Sequence, residues 1–599
     1  MEAWQELTTG KFTLKVFDAG HLFIKEKQQQ MIDIICDQLN IKGGILTQKD
    51  LSNNFKITWE NPEDEKLFWY RPTVHHYMQT KPLDFDMNVK IIRETSGENY
   101  HKTFDSPMKG MCRHFNTYCY SGMTIRPDVP FEEISEYNKR FSEQVYCAIE
   151  TCADDWQTKW LPEIKEHLAY WESFNLKQAN HKDLLNHIHE TIKRFTRMWE
   201  IHNLWGTPIF VSIGLFEEMY LDLFKDADQL EPYELLTGFD NEIVESGRLL
   251  WQLSQEVMNM PDILSLFQKN DVQTIVAQIK KLPDDHAFIK QLNAYLKKYG
   301  IMADIVMLAQ PFWSENPESV IRIIQNNLNQ NKKETLNPSE LTQKRLQKQK
   351  EVQDKLKGYP KPVVQKFESL LEKAQICNQL WEGHTFWLDY PATYYTRRAI
   401  LECARRLVQS KTLMQEQDVF YLNQKELLHA VEKLPEPVDL NKEIEERKIL
   451  ESQFARITPP PFIGTPPTAK PPDDPIFRIL MKFEPPPQIS EKPDEIKGYA
   501  GASGVITGTA RIARTLEEAD KIKPGEILVA ISTVCSWTPL FSSISAVVTD
   551  NGGILCHGAI VAREYGIPAV VGTGTATHVI QDGQQIEVNG NTGIVKILS

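Results

Sequence analysis

His557 is the residue whose surroundings point most directly to chemistry. It stands in AVVTDNGGILCHGAIVAREYGIPAVVGTGTAT (residues 546–577), where an apolar run gives way to the Gly552-Gly553 turn and then to a helical pattern. That order places the imidazole at the mouth of a helix, beside backbone N–H groups and the positive end of the helix dipole. Such a setting disfavours the imidazolium and keeps a ring nitrogen available as a nucleophile. It also suits an anionic phosphoryl group once one is attached. Gly558 leaves space beside the ring, and Arg563, six residues on, is a candidate charge partner. The same placement fits a helix-capping or packing histidine, and the residues by themselves leave both readings open.

The elements around this histidine form a domain of their own. From Lys497 to Ser599 the chain is glycine-rich, with short β-branched runs (GVITGTARI, EILVAI, SAVVTD, AVVG, QQIEVNG, GIVKIL) and one clear helix, GAIVAREYG. Its charge nearly balances, with seven Lys/Arg against eight Asp/Glu. Upstream, between Pro459 and Pro493, lies the densest proline stretch of the chain, expected to be a semi-rigid, largely extended connector. Before it, segments such as KDLLNHIHETIKRFTRMWEIHNLW repeat apolar residues at three- and four-residue spacing, the pattern of packed helices. FTLKVFDAGHLFIKEK and NFKITWE are strand candidates, and residues 332–358 form a strongly charged, exposed helix or crossing. The expected fold is therefore a mostly α-helical body with a small mixed α+β N-terminal part, plus a C-terminal β/β/α domain. The boundaries are 1–125, 126–457, a linker at 458–496, and 497–599.

Composition narrows the function. The 599 residues carry 81 acidic against 67 basic side chains, a formal charge of −14, which disfavours nucleic acid and anionic membrane surfaces as partners. No run approaches the roughly 18 apolar residues of a membrane span, and the first residues lack a secretory pattern. Nine cysteines without a C-x-x-C pair suggest reduced thiols, so a cytoplasmic location is expected.

GGILCHGAIVAREYGIPAVVG (residues 552–572), preceded in order by TVCSWTPLF and VVTDNGG, resembles the phosphohistidine motif of the mobile, swivelling domain of phosphoenolpyruvate-utilising enzymes. The resemblance implies that His557 accepts a phosphoryl group at one site and delivers it at another. Residues 384–431, with Arg397-Arg398, DVFYL and Glu426-Leu427, then Arg447 and the proline run, are similar to the segment before the linker in rifampin phosphotransferase and in the histidine-bearing subunit of phenylphosphate synthase. The second arrangement fits best, because its ATP-grasp module is a separate subunit. Residues 1–457 show neither a glycine-rich phosphate cradle nor the texture of a phosphoenolpyruvate-binding barrel.

The resemblance thus implies a phosphotransferase in which ATP and Mg2+ are held by a separate ATP-grasp subunit. This chain would bind no cofactor or metal tightly and would carry the phosphoryl group to a small aromatic hydroxyl compound. Within the similar region, His384 and Asp389 are candidates for orienting or deprotonating that hydroxyl, and Arg397 and Arg398 for stabilising the transferring phosphate. Each pair fits a structural role as well. Trp381, Phe386, Trp387, Tyr390, Tyr394 and Tyr395 suit either an aromatic wall or a core. Trp69, Arg71, His75 and His76 are further pocket candidates. A rifamycin-like acceptor fits poorly, since Leu388, Asp389 and Ala392 flank Pro391 where basic residues are expected. Two alternatives remain: an alcohol or natural-product acceptor, and a phosphohistidine that serves regulation alone.

Overall fold

The structure is a computed structural model. It describes residues 55–59, 61–72, 78–328, 338–455, 457, 459–465, 474–482, 485, 488, 490, 492, 494–516 and 518–598. FTLKVFDAGHLFIKEK, His75 and His76 lie outside them. The described residues of NFKITWE form no strand. Residues 59–455 and 462–599 make up one compact unit; the other comprises residues 1–58 and 456–461.

The first strand of the larger unit is β1 (Phe68–Tyr70), followed after helix α1 (Lys90–Phe104) by the hairpin β2 (Met108–Phe115) and β3 (Tyr118–Ile125). The hairpin reverses at Asn116 and Thr117, both in the left-handed region. Asparagine tolerates that conformation because its short amide bonds locally; a β-branched threonine there is unusual. The helical body begins with α2 (Ile134–Asp155) and is organised around α3 (His181–Leu223), a 43-residue helix capped by Asn180 and buried over much of its second half. Against it pack α4 (Glu242–Val257), α5 (Glu318–Leu328) and α6 (Pro338–Leu356), then α7 (Lys361–His384) and α8 (Tyr390–Gln409), directly or through intervening helices. The charged segment at 332–358 is helical where described, yet not wholly exposed: Val352 and Leu356 are buried and Lys348 pairs with Glu231.

The proline-rich connector differs most from expectation. Its first part forms β4 (Phe462–Gly464), an antiparallel partner of β1 with Phe68 opposite Gly464, giving the sheet order β2-β3-β1-β4. A Cβ at Gly464, where φ is +79°, would lie 2.0 Å from the Leu67 carbonyl oxygen, so only glycine closes this edge. Its second part forms helix α9 (Pro475–Met481), capped by Asp474, with Ile476 and Ile479 fully buried. Ile479 fills the space left by Gly214 of α3, where a Cβ would stand 2.4 Å from its Cγ2. Lys482 then pairs with the buried Glu217 at 3.0 Å. Apolar residues between the prolines thus win over an extended conformation.

The last domain is a mixed eight-stranded sheet: β5 (Glu495–Lys497), β6 (Tyr499–Ala502), β7 (Val505–Ile512), β8 (Ile527–Ala530), β9 (Ala546–Thr549), β10 (Ala569–Val571), β11 (Gln585–Asn589) and β12 (Ile594–Ile597). In space the order is β5-β12-β11-β7-β8-β9-β10-β6. The β-branched runs all become strands. β7 to β10 are parallel neighbours, and β8, β9 and β10 are buried at every residue because both faces are covered. Helix α10 (His557–Tyr565) follows β9 and covers one face. The expected fold class is the observed one.

Ile479→Ala removes a buried side chain that joins α9 to α3 and should cost about 2–5 kcal/mol if the void does not collapse. Chemical denaturation should show that loss. Proteolysis between residues 465 and 490 should speed up more than cleavage elsewhere; uniform acceleration would argue against α9 as a local anchor.

Candidate functional site

The loop from β9 to α10 is built to present one imidazole. Gly552 has φ +104°, a left-handed position, and a Cβ there would press on Cys556 at 2.7 Å. Cys556 is the N-cap and makes no side-chain cap bond, while its carbonyl accepts the Ala559 and Ile560 N–H groups. A histidine acting as the cap would spend its ring on its own backbone. His557 instead bonds across the fold: Nδ1 lies 3.3 Å from Thr533 Oγ1 and Nε2 3.0 Å from Thr538 Oγ1. Gly558 is required by this arrangement, because a Cβ there would meet Thr533 Oγ1 at 2.8 Å. The Phe541 ring stands edge-on to the imidazole at 6.2 Å. Burial pushes the imidazolium down to about 3, so the ring is neutral at physiological pH and one nitrogen keeps its lone pair.

Neighbouring residues hold the loop rather than the ring. Asp550 accepts from the Thr577 backbone N–H at 3.0 Å and from the Thr577 and Thr573 hydroxyls. GTGTAT is therefore a turn, as expected, whose threonines clamp the acidic residue beside the glycine pair. Arg563 does not partner His557. Six residues along an α-helix is a rotation of about 240°, which points the two side chains apart. Its Nη1 donates to the Gly501 and Ile554 carbonyls, and its guanidinium lies 4.5 Å from the centre of the Tyr233 ring.

This surface of the domain is seated on the body. Leu555 is buried in the cluster that includes residues of α3 and α7, and Cys535 joins the cluster of Phe386 and Tyr390. Gly553 is tight against the connector: a Cβ would lie 2.3 Å from the Lys482 carbonyl oxygen. Glu564 accepts the Gly238 N–H at 3.1 Å, and the Asp550 charge reaches Arg71. A small cavity lies at this junction, between Asn241, Val244, Asn378 and Gln379 on one side and Thr538, Ile560 and Glu564 on the other.

The body candidates separate into two outcomes. His384 and Asp389 do come together, with Nε2 and Oδ2 3.7 Å apart, and both are buried. They meet a third residue that sequence reasoning missed, His202 of α3, whose Nδ1 is 2.8 Å from Asp389 Oδ1. Nothing local to His202 signals this pairing across 187 positions. Two imidazoles and a carboxylate within 4.8 Å of one another could hold a metal ion, where none was expected. Arg397, by contrast, is committed to structure. It grips Glu315 at 2.8 Å, donates to the Leu308 carbonyl, lies by Phe420 and is buried. Arg398 is exposed beside the Tyr394 and Tyr395 rings. Most of the aromatic stretch serves packing: Tyr390 and Phe386 are core, and Trp387 donates to Glu242.

Residues 522–593 match the mobile domain of PEP-utilising enzymes, and residues 208–380 match the fourth domain of rifampicin phosphotransferase. The chain is 34% identical to a chondramide synthase of Chondromyces crocatus over 91% of its own length and 14% of that protein's. It is 29% identical to the uncharacterized phosphotransferase YvkC of Bacillus subtilis (65% of this chain, 46% of that one) and 30% identical to a rifampicin phosphotransferase of Bacillus cereus (59% and 39%). It spans less than half the length of each of these relatives. The C-terminal domain is thus a mobile phosphohistidine domain of the PEP-utilising kind, joined to a body related to that of rifampicin phosphotransferases. No helix among the described residues is long and apolar enough to cross a membrane.

Glu564 makes the seating sensitive to pH. Burial raises its carboxyl to about 7, against the lowering effect of the Gly238 N–H and of Arg563 and Arg345, and Tyr565 is adjacent. Released into water, the carboxyl returns toward 4.5. The seated state therefore gains most below about pH 4.5, where the carboxyl is protonated either way, and loses that gain as pH rises through about 7. A distance-sensitive fluorophore pair on body and mobile domain should report falling seated population over that window, and Glu564→Gln should flatten the curve. An unchanged curve in the variant would assign the effect to another group.

Proposed function

We propose that this chain is the phosphohistidine-carrying, acceptor-binding part of an ATP-dependent phosphotransferase, and that its acceptor is a small, phenol-like hydroxyl compound. The His557 imidazole carries this reading: it is neutral, held between two threonine hydroxyls, and set at the first residue of a helix. In the first half-reaction the ring nitrogen with the lone pair attacks phosphorus; an N–P bond forms as the P–O bond to the donor breaks. In the second, the acceptor oxygen forms a new P–O bond, the N–P bond breaks with its electrons returning to the ring, and the hydroxyl proton leaves. A phenol, near pKa 10 like tyrosine, needs less help with that proton than an alcohol does.

ATP with Mg2+ is the phosphoryl source in this reading. A separate ATP-grasp subunit holds both and turns ATP and water into AMP and inorganic phosphate as His557 is charged. In this reading the histidine domain travels between that subunit and the body. One observation favours a second acceptor, a hydroxyl on a larger natural product: residues 208–380 match a rifampicin phosphotransferase domain, and the chain is similar to a chondramide synthase.

Labelled ATP tests both. With an ATP-grasp partner, the wild type should take up label and His557→Ala none, while circular dichroism shows both folded. The label should then chase onto a phenol; a chase onto a rifamycin alone would support the second acceptor. Label that no hydroxyl compound discharges would turn the reading toward a regulatory phosphohistidine. Label acquired without any partner would remove the separate subunit.

A further inference from the structure

The His202, His384 and Asp389 cluster lies in the body and has no part in the phosphohistidine chemistry above. Its geometry begins with a local irregularity. Between α7 and α8 the helix does not break but widens into one π-helical turn, Thr385–Asp389, in which the Tyr390 N–H bonds back to the Thr385 carbonyl. Residues five apart on an α-helix are turned about 140° from one another. The wider turn brings them toward one face, which is how His384 and Asp389 meet. His202 arrives from α3, so three donors converge from three elements.

The protons in this cluster are constrained. His384 Nδ1 bonds the Trp381 carbonyl oxygen. A carbonyl only accepts, so the proton sits on Nδ1, and in the neutral ring the lone pair is on Nε2. That lone pair faces Asp389 Oδ2 at 3.7 Å: an acceptor opposite an acceptor. A cation between them resolves the clash. An N–H to a backbone carbonyl behind a ring nitrogen that faces a carboxylate is the usual support of a metal-binding histidine.

The spacing fits an ion as well. A tetrahedral zinc ion with bonds of about 2.0–2.1 Å separates its ligands by about 3.4 Å. The observed 2.8 Å from His202 Nδ1 to Asp389 Oδ1 and 3.7 Å from His384 Nε2 to Asp389 Oδ2 bracket that value. The rings of Trp199, Trp205 and Trp381 stand 4.8 to 5.9 Å from the two imidazoles and make the surroundings apolar, which strengthens ion binding once the ligands are in place.

We propose that His202, His384 and Asp389 form a binding site for one divalent transition-metal ion of the zinc type, with a fourth position left for water. Two imidazoles and one carboxylate suit zinc, cobalt or iron; magnesium and calcium prefer oxygen ligands throughout. The ion replaces the His202–Asp389 hydrogen bond and ties α3 to the turn between α7 and α8. The proposal stands apart from the phosphoryl-transfer reading and survives its failure.

The full chain, stripped with a chelator and dialysed, is titrated with Co2+. The wild type should bind one equivalent, with visible d–d bands and no thiolate-to-cobalt charge-transfer band. The absence of that band separates this site from the buried Cys152 and Cys377 pair, whose sulfurs are 3.6 Å apart. Asp389→Asn and His202→Gln should each weaken binding at least tenfold, and His557→Ala should leave it unchanged. Zn2+ should raise the melting temperature of the wild type and not of Asp389→Asn. No binding by the wild type, a thiolate band, or equal affinity in folded variants would each overturn the proposal. Should the variants fail to fold, the wild-type spectrum and stoichiometry decide it.

Discussion

An imidazole can take a phosphoryl group only while one of its nitrogens holds a lone pair, and the mobile domain is shaped around that requirement. Burial keeps His557 neutral, and the hydroxyls of Thr533 and Thr538 orient the ring without charging it. A carboxylate in contact would have drawn a second proton onto the ring. The acidic residue nearest in the loop, Asp550, is instead drawn aside by Thr573 and Thr577. Close approaches at Gly552 and Gly558 follow from the same need, since a side chain at either would move the ring or its partners. The parallel strands β8 to β10, buried at every residue, form the rigid base from which this loop projects.

A carrier must also let go. The seating of the domain uses a few apolar insertions, notably Leu555, and polar contacts such as Glu564 to the Gly238 N–H. Burial raises the Glu564 carboxyl to about 7, so part of the contact is lost as pH rises through that value. The described parts of the connector, β4 and α9, are folded into the body.

The body depends on one long helix. α3 receives α9 at Gly214, α7 along its second half, and the turn between α7 and α8 at His202. The π turn Thr385–Asp389, like those at Phe85–Val89 and Trp156–Trp160, interrupts regular α-helical geometry, and it is where His384 and Asp389 become neighbours. Arg397, two turns further into α8, shows the opposite case: a charged residue that packing, Glu315 and the Leu308 carbonyl engage.

Much of this was legible in residue order alone. Short β-branched runs marked β7 to β12, three- and four-residue spacing marked the body helices, and the Gly552-Gly553 turn before a helix marked His557. These are local properties, set by backbone preference and by which face of an element is apolar. Other features were decided only when distant elements packed. The connector folded because Ile476 and Ile479 found a glycine-lined groove on α3. Arg563 turned from His557 because helix rotation, not proximity in order, sets direction. His202 joined His384 and Asp389 across 187 positions, through a π turn that no periodicity announces. What the sequence by itself determined was the mobile histidine domain and the kind of elements around it. Which charged groups face one another was left to tertiary structure, because burial and pairing depend on neighbours the chain brings from far away.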